Sequence, residues 1–246
     1  THKTSSAASD VYKRQDKNIK FIAHDLGLNI NHQIPSEPYL KYDEKGLSFI
    51  KDPNNPREYI HIDYLKGRAG WRLNRSNHES NLKKALGKNQ KKLHIFDATG
   101  GLLLDTMIFL SLGHKVTAIE QSKILFYLVK DALNRAESKL SFIKNLDFRF
   151  GNSIDLYKTI ERPIDIIYLD PMYPILKKNQ KKSLEIETIR FLLKEEKIKG
   201  SDQDMIKKFL EYDHKKIILK RPLKSEIYSN INYQVKGKTT RFDIYL

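Results

Sequence analysis

From residue 93 onward, short unbroken apolar runs alternate with stretches of helical periodicity, the pattern of an α/β sheet built from strand–helix units. Leu93-His-Ile-Phe reads as a strand running into a Gly turn, and residues 102–112 as a helix closed by Gly113. Lys115-Val-Thr-Ala-Ile-Glu120 is a second strand. Ser122 then stands as an N-cap, with Ile124, Leu125, Leu128, Val129, Ala132 and Leu133 at helical spacing toward Glu137. Asp147-Phe-Arg-Phe150 forms a third strand ahead of Gly151-Asn-Ser153, and residues 164–169 a fourth. Residues 181–199 and 202–212 read as charged amphipathic helices. Lys216-Ile-Ile-Leu-Lys220 is a fifth strand stopped by Arg221-Pro222, and residues 233–245 a hairpin turning at Gly237. The expectation is a doubly wound, mostly parallel, Rossmann-like sheet with a terminal antiparallel hairpin.

Earlier in the chain the punctuation is denser and the period shifts to two. Tyr39-Leu-Lys-Tyr and Leu47-Ser-Phe-Ile flank Asp43-Glu-Lys-Gly46 as a β-hairpin, Pro53-Asn-Asn-Pro56 is a loop, and Tyr59-Ile-His-Ile-Asp-Tyr-Leu65 alternates as a third strand. Glu79 to Leu86 reads as a short helix ending at Gly87. These elements predict a small β-rich lobe with a connecting helix over 16–87, followed by the main domain over 88–246. Residues 1–15 are small, polar and aperiodic without a targeting pattern, and read as a non-native or disordered leader outside the fold.

Composition narrows the function classes. There is no Cys, which excludes a disulfide framework and a thiolate metal site. No apolar stretch reaches the roughly 20 residues of a membrane span, so no membrane partner and a soluble, cytoplasmic protein are expected. Lys and Arg number 45 against 30 Asp and Glu, a formal charge of +15. Such a surplus favours a polyanionic partner, nucleic acid above all, although the Lys residues are spread along the chain as biased coding would also spread them. Gly67-Arg-Ala-Gly-Trp-Arg-Leu-Asn-Arg75 surrounds the only Trp with three guanidinium groups. That segment reads either as a base-stacking, phosphate-holding surface or as a packing element centred on Trp71.

Two turns carry the candidate chemistry. Asp97-Ala-Thr-Gly-Gly101 follows the first strand of the main domain, and Glu120 ends the second, 19 residues beyond Gly101. A Gly turn that admits a ligand to the backbone, with an acid about 20 residues further on for a ribose diol, suits both NAD and S-adenosylmethionine (SAM). After Gly100-Gly101 come Leu102, Leu103 and Leu104, without the glycines that a dinucleotide pyrophosphate needs. SAM, which has no phosphate, remains. The second turn, Asp170-Pro-Met-Tyr173, presents a carboxylate, the Pro171 carbonyl and an aromatic face within four residues. Two acceptors and a stacking ring suit a planar base with an exocyclic amine, and would aim the nitrogen lone pair at a methyl donor without any metal. Asp170 and Tyr173 would equally serve as a helix cap and a core residue.

The strings Asp97-Ala-Thr-x-Gly-Leu, Tyr168-Leu-Asp-Pro-Met-Tyr-Pro, Lys220-Arg-Pro, Lys236-Gly and Arg241-Phe-Asp-Ile-Tyr, in this order over residues 39–246, resemble the bacterial small-subunit ribosomal RNA guanine-N2 methyltransferases often called RsmJ. The resemblance implies a class I SAM methyltransferase fold and methyl transfer to N2 of one guanosine in 16S rRNA, with naked rRNA or the small ribosomal subunit as partner. Position by position it places cofactor contacts on Leu104, Asp105, Glu120, Gln121, Asn152, Ser153 and Asp170, beside Asp97 and Gly101 of the turn. On the residues themselves, Asp170, Pro171 and Tyr173 are the catalytic set, and Arg68, Arg72, Lys177, Lys178, Lys181 and Lys182 the cations for RNA, with a solvated loop as the alternative for the Lys177 to Lys182 cluster. Two departures stand out. Leu103-Leu104-Asp105 replaces the family's Gly-Arg-Asp, which removes a cation and sets bulk where backbone approach is expected, and Arg72-Leu-Asn-Arg-Ser-Asn-His-Glu79 stands for a glycine-rich basic segment. The rival readings are an adenine-N6 nucleic-acid methyltransferase using the same acceptor turn, and a basic RNA-binding assembly factor that keeps the fold without the cofactor.

Overall fold

The computed structural model describes residues 17–31, 33–87, 91–160, 163–172, 184–198 and 202–246. The chain divides into two compact units between His61 and Ile62. The division falls earlier than the 87/88 boundary expected from the punctuation, and residues 62–87 group with the larger unit.

In the first unit, residues 17–26 are helical (α1). Strands β1 (Tyr39–Asp43), β2 (Gly46–Ile50) and β3 (Tyr59–His61) form an antiparallel sheet in that order. The hairpin between β1 and β2 turns where expected: Gly46 takes φ +104°, and the Asp43 carboxylate accepts the Lys45 N–H at 2.9 Å. The third strand is shorter than its alternation predicts and ends at His61.

In the second unit, seven strands are ordered β6-β5-β4-β7-β8-β10-β9. These are β4 (His94–Asp97), β5 (Lys115–Glu120), β6 (Leu146–Phe150), β7 (Ile166–Leu169), β8 (Ile217–Pro222), β9 (Tyr233–Lys236) and β10 (Thr240–Tyr245). The first five are parallel, and β10 runs antiparallel between β8 and β9. The remaining helices are α2 (Gly67–Asn74), α3 (Ser80–Leu86), α4 (Leu104–Ser111), α5 (Lys123–Ala136), α6 (Ser153–Tyr157), α7 (Leu184–Glu195) and α8 (Asp202–Glu211). Ser122 caps α5 as expected, its Oγ accepting the Leu125 N–H at 3.1 Å.

Strands β4 and β7 are apolar on both faces, as a central parallel strand must be: Ile95, Phe96, Ile167 and Leu169 are fully buried. Helix α4 is buried almost throughout and packs beneath the same sheet. Strand β8 does not stop before Arg221-Pro222. Pro222 is its last residue, opposite Thr240, where a missing N–H interrupts no further ladder. The terminal Arg241-Phe-Asp-Ile-Tyr string is architectural. Buried Arg241 pairs with buried Asp243 at 2.8 Å, and its guanidinium donates to the carbonyls of Leu223, Ser225 and Glu226, pinning the chain that leaves β8.

Candidate active site

Strand order reverses between β4 and β7, and the carboxyl ends of the parallel strands there hold the polar residues of the two turns. Three backbone features shape the first turn. A Cβ on Gly100 would lie 2.8 Å from the Ile119 carbonyl, so this position must be Gly for the loop to reach β5. Gly101 takes φ +51° and Leu103 φ +54°. The family's Gly would hold the left-handed conformation at Leu103 without strain; a Leu there costs roughly 1–2 kcal/mol. Its side chain is fully buried, however, and touches the Gly100 side of the loop from within. The bulk expected to obstruct a ligand is therefore directed into the core.

Around the second turn, charges are paired in a chain. The Lys220 ammonium, on β8, lies 2.7 Å from an Asp170 oxygen and 2.7 Å from Asp105 Oδ2. The same Asp105 oxygen accepts the Tyr168 hydroxyl at 2.5 Å, and Asp105 Oδ1 sits 2.6 Å from the Arg72 guanidinium. Arg72 in turn donates to Glu79 at 2.6 Å. Burial disfavours the charged form of Asp105, but Lys220 and Arg72 overcome it and hold the carboxyl well below the usual range. Asp170 is shifted upward by burial, with Lys220 opposing the shift. Its backbone N–H donates to Thr99 Oγ1 at 2.7 Å, tying the acceptor turn to the Gly turn. Asp97 accepts from the Thr99 N–H and from the Thr106 hydroxyl, and burial pushes its carboxyl up to about 6.

At the end of β5 the arrangement differs. Among the described residues no cation pairs with Glu120. One oxygen accepts the Gly101 N–H at 2.7 Å and the other the Ser122 N–H at 2.6 Å. Burial pushes its carboxyl up to about 7, and the nearby Glu196 charge adds to the rise. Glu196 accepts the Ser122 hydroxyl and, at 3.1 Å, the Ile124 N–H, so two carboxylates share the start of α5. Gln121 beside them is exposed. At the end of β6, Asn152 caps α6, its Oδ1 accepting the Ile154 N–H at 2.9 Å, and buried Ser153 lies against Met205.

The fold thus brings Asp97, Gly101, Leu104, Asp105, Glu120, Asp170 and Pro171 to one edge of the sheet. Tyr173, Lys177, Lys178, Lys181 and Lys182 lie outside the described residues. Arg72 is corrected: rather than meeting phosphate, it is held between Glu79 and Asp105 and is three-quarters buried. Of the two readings of Trp71, the packing one is not what the structure has, since the side chain is 63% exposed. Sequence reasoning missed Lys220 and Glu196. Lys220 lay inside a recognised string, yet its partners are 50 and 115 residues away. A separate cleft of about 270 Å³ lined by Phe126, Lys130, Glu137 and Phe148 shares no residue with this cluster.

Comparison with known proteins identifies the scaffold. A family model for SAM-dependent methyltransferases matches residues 22–246. A "Ribosomal RNA small subunit methyltransferase J" from Thioalkalivibrio sulfidiphilus is 31% identical over 98% of this chain and 95% of its own length. Its namesake from Francisella tularensis subsp. novicida is 29% identical over 84% and 86%. The crystal structure of a SAM-dependent methyltransferase from Neisseria gonorrhoeae aligns with a TM-score of 0.61 at 23% identity, covering 94% of this chain and 92% of that one, and so shares the fold. The chain belongs to the ribosomal RNA small subunit methyltransferase J family of SAM-dependent methyltransferases.

Proposed function

We propose that this protein transfers the methyl group of SAM to the exocyclic N2 amine of one guanosine in 16S rRNA, acting in the cytoplasm on naked rRNA or on the small ribosomal subunit. The observation that carries the reading is the acceptor turn at the switch point, where Asp170 is oriented by Lys220 and anchored through Thr99 to the Gly turn. The relatives' name supplies the ribosomal RNA.

The residues fit SAM by their chemistry. Glu120 is an acceptor whose oxygens each keep a lone pair after taking a backbone N–H, as a ribose diol requires. Asp97 and Asp170 add carboxylate acceptors beside the two turns for a ligand bearing an ammonium, while Asp105, held by Lys220 and Arg72, fixes the start of α4 between them. Asp97, Gly101, Leu104, Asp105, Glu120, Gln121, Asn152 and Ser153 would hold SAM. When bound, SAM supplies an electrophilic methyl.

The chain's own residues do the rest. Asp170 and the Pro171 carbonyl accept the two N–H groups of the amine, drawing its lone pair out of conjugation and toward the methyl. After transfer the nitrogen carries a surplus proton, and Asp170 is the base within reach. Tyr173 stacks on the flipped base, worth ~1–3 kcal/mol, against the few kcal/mol that extrusion costs.

The test is methylation of small subunits that lack the modification with methyl-labelled SAM, followed by digestion to nucleosides. Label in N2-methylguanosine of 16S rRNA is expected. Label in N6-methyladenosine would move the acceptor turn to adenine, and RNA binding without cofactor binding would turn the protein into an assembly factor.

A further inference from the structure

The exposed Trp71 is not used by the reading above. It lies on α2, whose opposite side is fixed to the core from several directions. A Cβ on Gly70 would lie 2.6 Å from the Leu65 carbonyl carbon, so the helix sits tightly on the preceding turn. Buried Tyr64 donates its hydroxyl to the Leu102 carbonyl of the Gly turn at 3.0 Å. Leu73 is buried, and Arg72 reaches Asp105. The residue beside Trp71 is thus linked to Asp170 through three successive ion pairs, by way of Asp105 and Lys220.

The outward face of the same helix carries the opposite character. Arg68 and Trp71 lie one turn apart on α2, and Arg75 is the residue that caps its C-terminus. The Arg75 guanidinium stands 5.0 Å from the centre of the indole, covering one ring face. Arg68 is exposed, and its ion pair among the described residues is a long surface contact to Glu185 at 3.4 Å, which contributes little and is readily exchanged for a phosphate. A rigidly mounted indole flanked by cations offers a π face for a base and charge for the adjoining backbone, and no hydrogen-bond code for sequence. We propose that this face is a stacking platform for a single-stranded stretch of the RNA substrate next to the nucleotide that enters the acceptor turn. The proposal rests on the RNA-substrate reading and names the surface on which that substrate lies.

Trp71 is the only Trp in the chain, so its fluorescence reports this site alone. A single-stranded oligoribonucleotide of roughly a dozen nucleotides, labelled with fluorescein, is titrated with the full chain while anisotropy and indole emission are followed together. Binding should quench the indole. Trp71→Ala should bind the oligonucleotide about 5- to 100-fold more weakly, Trp71→Phe should recover most of the loss, and neither should alter SAM affinity. Arg75→Ala should flatten the log–log salt dependence by about 0.7. RNA binding with unquenched emission and unchanged affinity in Trp71→Ala would overturn the platform while leaving the RNA reading intact. Absence of binding to both the oligonucleotide and small subunits would overturn both. An emission shift with protein concentration alone would assign the face to a second copy of the chain and overturn the platform.

Discussion

Two ends of the same sheet hold their carboxylates in opposite ways. At the ends of β7 and β8, Asp105 and Asp170 share Lys220, and Arg72 closes the other side of Asp105. At the end of β5, Glu120 is also buried, but its partners among the described residues are backbone N–H groups, and a second carboxylate, Glu196, is close by. The first arrangement fixes charge and geometry before any ligand arrives. The second leaves a carboxylate close to neutrality, ready to gain from hydroxyl donors and from a nearby positive charge. The contrast fits a division of labour in which the cation-braced end positions the amine and the amide-braced end takes the cofactor.

Breaking the braced end should have the largest effect. Asp105→Ala removes the buried carboxylate that Lys220 and Arg72 share and the acceptor of the Tyr168 hydroxyl, breaking two buried pairs at once. The loss should be about 3–5 kcal/mol, read as the shift of the denaturant midpoint in chemical unfolding. A change under about 1 kcal/mol would mean that the pairs contribute little beyond what solvent replaces.

Lys220→Met separates charge from fold. Burial already raises the Asp170 carboxyl and Lys220 opposes it, so removing the cation should raise it further. The ionised acceptor then exists only at higher pH. The acid limb of the single-turnover rate at saturating SAM should move alkaline by about one unit, slowing transfer up to about tenfold at pH values on that limb, with SAM affinity little changed. An unmoved limb would detach Lys220 from the chemistry.

Glu120 gives the smaller, opposite signature. Its folded value near 7 lies above the ordinary 4.5, so it favours the folded state at acid pH, and that contribution is lost as pH rises from about 4.5 through about 7. A cofactor that prefers the ionised form should therefore bind more tightly as pH rises toward 7, by up to about tenfold per unit, with proton release. Calorimetry in two buffers of different ionisation enthalpy checks this, and Glu120→Gln should abolish the dependence.

Much of the scaffold is written locally. The strand runs, the Gly turns at Gly46 and Gly237, the Ser122 cap and the antiparallel end all follow from neighbouring residues, and the structure has them. The positions of Asp97, Glu120 and Asp170 at strand ends follow from the same punctuation. What was not legible depends on distant contacts. Nothing near Arg72 says that it turns inward, because Asp105 is far along the chain. Lys220 meets Asp105 and Asp170 across 115 and 50 residues, and Glu196 meets Ser122 because α7 returns to the start of α5. Leu103 was legible as a departure, but its inward direction depends on the left-handed backbone, which residue type alone argues against. The family's Arg241-Phe-Asp string was legible as a signature and not as a role, since its acceptors lie in the loop after β8.

The division between the two ends is tested most directly by measuring SAM affinity and single-turnover methyl transfer to small subunits for Asp170→Asn and Glu120→Gln side by side. Asp170→Asn should keep SAM affinity within about tenfold and slow transfer at saturating SAM by about 100-fold or more. Glu120→Gln should weaken SAM by roughly tenfold and transfer at near the original rate once saturated. Equal losses of affinity and rate in both variants would contradict the account, because one undivided cluster would then serve cofactor and amine together.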